Sequence, residues 1–157
     1  MYKSPSQLSQ EARTKIAEAL NAVLADGLDL HSQIKVAHWN IKGPQFAALH
    51  PLFEEFAVGL AAHNDSFAER AVTLGSLAYG TVRHTAKSSK LPEYPQETTR
   101  DMDHVRLLAD RFDHYLVRLR EARVRADEQK DIDTVDLLTG AITEFEKHAW
   151  FLRASMD

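Results

Sequence analysis

The sequence contains no cysteine, which excludes disulfide bonds and thiolate chemistry, so any metal site must use imidazole and carboxylate ligands. Glycine and proline are few, at 6 and 5 residues, and the composition is otherwise ordinary for a globular protein. No apolar run approaches the roughly 18 residues that a membrane span requires, and residues 1–5 lack the apolar core of a signal peptide. We therefore expect a cytoplasmic protein with no membrane partner, either free or associated with the nucleoid.

Basic residues are also too few to dominate the charge. The chain has 19 Lys+Arg against 23 Asp+Glu, which gives a net charge of −4. Because nucleic-acid binding relies on basic clusters that meet phosphates, the chain is a poor candidate for unaided DNA binding. If a dozen copies assembled, their negative charge would add up, attracting cations and repelling DNA.

The spacing of apolar residues predicts an all-α protein with four long helices and one short helix. A Gly43-Pro44 turn ends the first helix, and Pro51 is expected near the start of the second. The predicted helices, in chain order, run from about Ser6–Ser9 to Ile41, over about Leu49–Leu74, over Val82–Ser88, over about Glu97–Ala126, and from a cap at Asp131, Asp133 or Thr134 to about Ala154. One long crossover between the second and third long helices is the layout of a ferritin-like four-helix bundle. No internal repeat is present, and we expect one domain over residues 1–157.

The second helix carries the residues with metal-binding chemistry. At about 100° per residue, its large side chains form one stripe towards the bundle core, while alanines and valines form a second apolar face. Four potential ligands, His50, Glu54, Asp65 and Glu69, lie within that second face. A helix that is apolar on two faces is buried on two faces, and unpaired buried carboxylates are costly. We therefore expect both a metal cation and a second helix to cover this face.

One helix cannot bring these ligands together, because Glu54 and Asp65 are roughly 16 Å apart along the axis. Their numbering is symmetric about a point beside Gly59, since 50 and 69 have the same sum as 54 and 65. If two copies of the helix packed antiparallel across a two-fold axis, His50 and Glu54 of one chain would face Glu69 and Asp65 of the partner subunit. Gly59, which has no side chain, would permit close approach at the crossing.

His38 supplies a further ligand, because it lies near the end of the first helix and can fold back beside His50. The predicted site combines His38, His50 and Glu54 of one subunit with Asp65 and Glu69 of the partner subunit. Imidazole with carboxylate suits Fe(II), Mn(II), Zn(II) or Co(II) better than Ca²⁺. Incomplete coordination would leave positions open for water or an oxidant.

The segment His38–Phe46, which reads HWNIKGPQF, resembles the signature of the Dps family of miniferritins. The similarity continues through Leu49-His50, Asp65–Arg70, Leu74-Gly75, Tyr79–Thr81, Tyr94-Pro95, Asp131–Thr134 and His148–Phe151, and so covers nearly the whole chain. It implies a homododecameric cage, built from two-fold dimers, that oxidises Fe(II) with hydrogen peroxide in preference to O₂ and stores Fe(III) inside. The resemblance makes the five residues named above inter-subunit ferroxidase ligands and places Trp39 beside that centre.

Two acidic residues near the start of the last helix have a weaker assignment. Asp133 and Asp136 match family residues that line pores on the three-fold axes, through which iron passes. Negative charge in the first turn of a helix is also favourable for the helix alone, and this simpler interpretation is equally open.

Three features depart from related patterns. The family usually has Asp where this chain has Glu54, which keeps the carboxylate and adds one methylene of reach. The Lys/Arg-rich tail of DNA-binding members has no counterpart before His38 or after Trp150, so we do not expect DNA contact. Ferritins and bacterioferritins hold iron inside each bundle with Glu-x-x-His pairs, and no such pair occurs in this sequence.

We therefore expect a ferroxidase that protects DNA by consuming Fe(II) and peroxide. The alternatives are a DNA-condensing nucleoid protein in which the cage is a scaffold, and a cage whose resident metal is Zn or Mn. Among the other histidines, His63 lies on the wrong side of its helix. His31, seven residues before His38, is expected to be a packing residue, with a supporting position behind the metal ligands as the alternative. The remaining histidines, which are expected at the surface or between helices, are His84, His104, His114 and His148.

Overall fold

The structure is a computed structural model that describes residues 3–156, and within that range all the regular structure is helical. The helices are α1 (Gln10–Asn40), α2 (Phe46–Thr73), α3 (Val82–Ser88), α4 (Asp101–Glu128) and α5 (Ile132–Ala154). α1 packs along α2, α4 packs along α5, α1 crosses to α4, and the short α3 lies on α1. The prediction of an all-α, ferritin-like bundle with a short helix in the crossover is confirmed. Within residues 3–156, no helix is long and apolar enough to cross a membrane.

Side-chain caps fix the starts of α1 and α5. The Ser9 hydroxyl accepts a hydrogen bond from the backbone N–H of Ala12 at 3.2 Å. At α5 the Asp131 carboxylate accepts from the N–H of Thr134 at 3.3 Å, so Asp131 is the cap among the residues considered. Such caps satisfy backbone donors that the first turn leaves without a helical partner.

Two helix starts differ from the prediction. α2 begins at Phe46, so Pro51 lies inside it rather than in its first turn. The turn before Pro51 is held by a bond from the N–H of Leu49 to the carbonyl of Gln45 at 2.9 Å. The carbonyl that Pro51 leaves without a donor belongs to Ala47, which is exposed and accessible to water.

α4 begins at Asp101 instead of Glu97, because the chain just before it pairs with the α1–α2 turn. The N–H of Lys42 donates to the carbonyl of Thr99 at 2.7 Å, and the N–H of Asp101 donates back to the carbonyl of Lys42 at 2.9 Å. These bonds need extended backbone and so postpone the helix.

The predicted core stripe of α2 is buried throughout. Its members, each at most 4% exposed, are Leu49, Phe53, Phe56, Leu60, Phe67 and Leu74. Phe56 meets the ring of Phe112 edge-on, with centroids 5.7 Å apart, and Phe145 and Tyr115 complete the aromatic centre. Burial of large apolar side chains is the main favourable term for such a bundle.

The long crossover between α2 and α4 is tied to α1 and α4 by buried polar groups. The Asp26 carboxylate accepts from the N–H of Lys90 at 2.7 Å and from Arg118 Nε at 2.9 Å. Arg111 donates to the carbonyls of Pro92 and Glu93, at 3.2 and 2.9 Å. These hydrogen bonds hold the crossover against α1 and α4.

A glycine in α1 leaves room for side chains of α2 and α4. A Cβ at Gly27 would fall on Asn64 Oδ1 and lie 2.7 Å from the Tyr115 hydroxyl oxygen. Both of those side chains are buried, so neither can swing out to solvent. Gly27 is thus a packing requirement of the bundle.

We expect Gly27→Ala to lower the free energy of unfolding by about 1–3 kcal/mol, since it overpacks a filled core. Gly140→Ala is the matched control, because a Cβ there meets nothing within 4 Å. The control should be neutral or raise stability by about 0.5–1 kcal/mol, as alanine does in a helix interior. Thermal unfolding of the two variants measures the difference, and equal melting temperatures would contradict this account.

Candidate metal centre

The turn between α1 and α2 locks two histidines together. His38 Nδ1 lies 2.8 Å from the carbonyl oxygen of His50, and His50 Nδ1 lies 2.9 Å from the carbonyl oxygen of His38. A carbonyl can only accept, so each Nδ1 must carry the proton and donate. In the neutral form of each ring, Nε2 is then unprotonated and can bind a metal.

The two rings are also stacked on each other. Their centroids lie 3.8 Å apart with an interplanar angle of 20°, and Phe46 stacks on the far side of His50 at 5.0 Å. His38 is buried apart from a small fraction of its side chain. The reciprocal hydrogen bonds and the stacking fix both imidazoles before any ligand arrives, as a preorganised site requires.

Glu54 and Lys35 lie at the edge of this pair. Glu54 Oε2 is 3.5 Å from His38 Nε2, so carboxylate and imidazole can share one ion. The same oxygen forms an ion pair with Lys35 Nζ, whose side chain is only 20% exposed. This hydrogen bond is the largest cause of a pKa of Glu54 below its usual value. The sequence interpretation missed Lys35, although it lies one turn before His38, a spacing that puts both on one helix face.

The α1–α2 turn is itself held by the start of α4. Gly43 has a φ of 144°, and a Cβ there would collide with the Asp101 carboxylate. That carboxylate accepts from the N–H of Gln45 at 2.8 Å, a bond that is the largest cause of a lowered pKa of Asp101. Asp101 thus fixes the chain between the two histidines, and no motif in the sequence indicates this role.

Asp65 lies at the other end of α2, in a separate cleft of about 370 Å³. The walls are mostly apolar and come from α1, α2 and the crossover; the lining residues are Leu24, Leu28, His31, Ala61, Asn64, Asp65, Ala68, Ala78 and Gly80. Burial lowers the pKa of His31, the one imidazole in this cleft, and nearby Lys35 acts in the same direction. Glu69, one turn further along α2, is exposed.

The structure therefore places the five predicted ligands in two groups within one chain. His38, His50 and Glu54 come together at the α1–α2 turn, whereas Asp65 lies roughly 16 Å and Glu69 roughly 22 Å from Glu54 along the helix axis. Among residues 3–156, no group of three or more histidine, aspartate or glutamate side chains is arranged to hold a metal ion. Neither group alone offers enough side-chain ligands for a complete metal site.

Large apolar side chains are exposed near both groups of predicted ligands. In the isolated chain Trp39 is 67% exposed, Val58 62%, Leu77 54% and Phe46 46%. Trp39 is therefore not a core residue, and its ring lies 5.7 Å from Lys35 Nζ. Phe46 stacks on His50, and Val58 lies on the same face of α2 as Glu54 and Asp65. Exposed apolar side chains of this size favour contact with another chain.

Gly59 has a different reason to be glycine from the one predicted. A Cβ at this position would lie 2.5 Å from Glu144 Oε1 and 3.8 Å from His148 Cε1, both on α5 of the same chain. The missing side chain therefore leaves room for Glu144 within the chain. The symmetry of the ligand numbering about residue 59 is separate from this and remains a prediction.

The two candidate pore residues lie on the outside of the first turns of α5. Asp133 is exposed, with its carboxylate 3.9 Å from Arg70 Nη2, and Asp136 is exposed as well. Arg70 anchors this helix start, since it donates to Asp131 at 2.8 Å and to the Thr134 hydroxyl at 2.9 Å. Both carboxylates are available to solvent or to neighbouring subunits.

Two other histidines, His63 and His148, lie where α2 packs against α5. His63 Nε2 lies 2.8 Å from Glu144 Oε2, which gives this off-face histidine a structural partner. His148 stacks on Phe56 at 4.2 Å, and burial lowers its pKa although Glu144 opposes the shift. His148 thus lies between helices, as predicted, and is neutral in the folded chain.

We expect this burial to make the chain less stable as the pH falls below the usual histidine value of 6.5. In that range the unfolded state takes up a proton at His148 that the folded state resists, so the free energy of unfolding decreases. His148→Phe should flatten the decrease between pH 6.5 and pH 5, measured by thermal unfolding. His114→Phe, at a half-exposed position, should leave the slope as in the unmodified chain. Parallel slopes for all three proteins would refute the assignment.

Comparison with known proteins gives consistent matches along the whole chain. A family model described as a ferritin-like domain matches residues 17–157. The DNA protection during starvation protein of Agrobacterium fabrum is 37% identical over 156 residues, which cover 99% of this chain and 96% of that protein. The DNA protection during starvation protein 2 of Bacillus anthracis is 36% identical over 144 residues, covering 91% of this chain and 97% of that protein.

Solved structures agree with these matches. DpsC from Streptomyces coelicolor has a TM-score of 0.94 at 30% identity and covers 99% of this chain and 91% of its own. The Dps protein from Vibrio cholerae O1, described as a member of a broad superfamily of ferritin-like diiron-carboxylate proteins, has a TM-score of 0.92 at 28% identity. That match covers 100% of this chain and 99% of the Vibrio chain.

Proposed function

The chain belongs to the Dps family of ferritin-like proteins, and from that premise we propose that it oxidises Fe(II) at sites shared by two subunits. The Fe(III) product is stored inside a homododecameric cage built from two-fold dimers. Removing Fe(II) together with its oxidant protects DNA from oxidative damage. Iron is the substrate and the stored cargo of this reaction.

One observation carries the proposal: each chain presents two incomplete halves of a ligand set, separated along α2. The half at the α1–α2 turn offers His38 Nε2, His50 Nε2 and Glu54, and the half at the cleft offers Asp65 and Glu69. An antiparallel two-fold contact joins the first half of one chain to the second half of the partner subunit, twice per dimer. The exposed Trp39 and Phe46 then become buried at this contact, which places Trp39 beside the site.

The ligand types suit ferrous iron oxidation. Imidazoles bind Fe(II) well, and carboxylates stabilise the additional positive charge of Fe(III). With hydrogen peroxide as oxidant, two Fe(II) each give one electron, the O–O bond breaks, and two protons complete two water molecules. Two one-electron donors thus consume one peroxide without releasing a hydroxyl radical. O₂ is the slower alternative oxidant, and Zn(II) or Mn(II) can occupy the same ligands.

The acidic residues of α5 are proposed to guide iron inwards. Asp133 and Asp136 are exposed at one end of the molecule, where copies related by a three-fold axis would form a ring of carboxylates. DNA is not a proposed partner, because the net charge of −4 per chain opposes contact with phosphates.

Removing ligands from either half should slow iron oxidation. We expect His50→Ala and Asp65→Ala each to lower the initial rate of Fe(II) oxidation by peroxide at least tenfold, measured by stopped-flow absorbance. His114→Ala, a half-exposed histidine away from both halves, serves as control and should retain the unmodified rate. Native mass should show the same assembly for all variants. Unchanged rates in either ligand variant would remove that residue from the site.

Mixing the two variants tests whether the site is shared. In a dimer of one His50→Ala chain and one Asp65→Ala chain, one site carries both changes and the other carries neither. Random reassembly of equal amounts should therefore recover about a quarter of the unmodified rate, because half the dimers are mixed and each has one intact site. A site within one chain would show no recovery on mixing, and that result would overturn the shared-site proposal.

A further inference from the structure

We propose that the Lys35 ammonium is a built-in competitor for the metal: it occupies the Glu54 carboxylate beside His38 and must release it before a divalent cation binds. The lysine thereby raises the free metal concentration at which the site fills. This inference rests on the proposed function, since it concerns the same ligands. Lys35 acts through Glu54 and does not itself bind the metal.

The geometry gives one oxygen two competing partners. Glu54 Oε2 pairs with Lys35 Nζ and lies 3.5 Å from His38 Nε2, the nitrogen left free for a metal. An ion bound to His38 and to this oxygen would lie next to the ammonium. A lysine ammonium is a compact point charge, so it occupies the place of a cation.

Charge makes the two occupants mutually exclusive. A divalent ion and an ammonium a few ångströms apart repel strongly where water is partly excluded, and the side chain of Lys35 is only 20% exposed. In the absence of metal, the same ammonium offsets the negative charge of Glu54 and holds the carboxylate against α1.

The displaced ammonium has another group to contact. The Trp39 ring centroid lies 5.7 Å from Lys35 Nζ, within the distance at which an aromatic face attracts a cation. Lys35 and Trp39 lie on consecutive turns of α1. A change in the side-chain rotamer of Lys35 therefore moves its ammonium from Glu54 towards the Trp39 ring without moving the backbone. The lysine therefore alternates between two neighbouring partners.

Isothermal titration of the full-length, assembled, metal-free protein with Zn(II), which undergoes no redox change, tests the inference directly. Lys35→Met keeps the length of the side chain and removes its charge, and it should bind Zn(II) about tenfold more tightly than the unmodified protein. Lys35→Arg keeps the charge and should show no such gain. Lys35→Gln provides a second neutral variant if the methionine variant does not assemble.

Lys42→Met is the control for a general loss of positive charge. Lys42 is exposed in the turn between α1 and α2, and within residues 3–156 no contact joins it to Glu54. Its affinity should stay within about twofold of the unmodified protein. An equal gain in affinity in Lys42→Met would overturn the inference. Unchanged or weaker Zn(II) binding in Lys35→Met would also overturn it, and weaker binding would mean that Lys35 positions Glu54.

His50→Ala separates this inference from the proposed function. If it abolishes Zn(II) binding while Lys35→Met leaves the affinity unchanged, the shared site stands and only the role of Lys35 fails. If His50→Ala leaves Zn(II) binding intact, or if neither the unmodified protein nor Lys35→Met binds Zn(II), the proposed site itself is wrong and the inference fails with it.

Discussion

A straight α-helix fixes the distance between any two of its side chains, and this constraint on α2 governs the rest of the molecule. Glu54 and Asp65 are held roughly 16 Å apart, so neither can approach the other within one chain. A ligand set divided in this way has value only if a second chain supplies its complement. The exposed side chains of Trp39 and Val58 and the mostly apolar cleft beside Asp65 favour such a contact. Oligomerisation and chemistry are therefore proposed to depend on the same surface.

The half at the α1–α2 turn combines rigid and movable parts. The two imidazoles are fixed by their own backbone carbonyls and by stacking, so their free nitrogens have defined positions. Glu54 and Lys35 are joined by an ion pair on the helix surface. In the site proposed above, the fixed nitrogens would set the geometry of coordination, while the carboxylate and the ammonium would rearrange when a metal ion binds. Geometry and affinity would then be controlled by different residues.

Periodicity in the sequence was sufficient for the fold, because a buried stripe such as Phe53 to Phe67 reports the inward face of α2 directly. The Gly43-Pro44 turn in the sequence also indicated that His38 and His50 lie side by side, and the structure places their rings 3.8 Å apart. Periodicity failed where the outcome depends on neighbours distant in the chain. Gly59 leaves room for Glu144 of α5, α4 starts late because Lys42 pairs with Thr99, and Asp101 holds a turn that precedes it by 56 residues. A pattern reveals that a face is apolar or that a residue is small, but not which neighbour lies against it.

The hydrogen bond from Gln45 to Asp101 spans 56 positions of the chain. A ribosome synthesises the N-terminal half first, so both histidines leave the exit tunnel well before the aspartate that steadies the segment between them. Until α4 has been translated and docked, the glycine turn at Gly43 lacks the carboxylate packed against it. The α1–α2 turn consequently gains this contact only after the start of α4 has been translated, and until then the imidazole pair depends on its own hydrogen bonds and stacking alone.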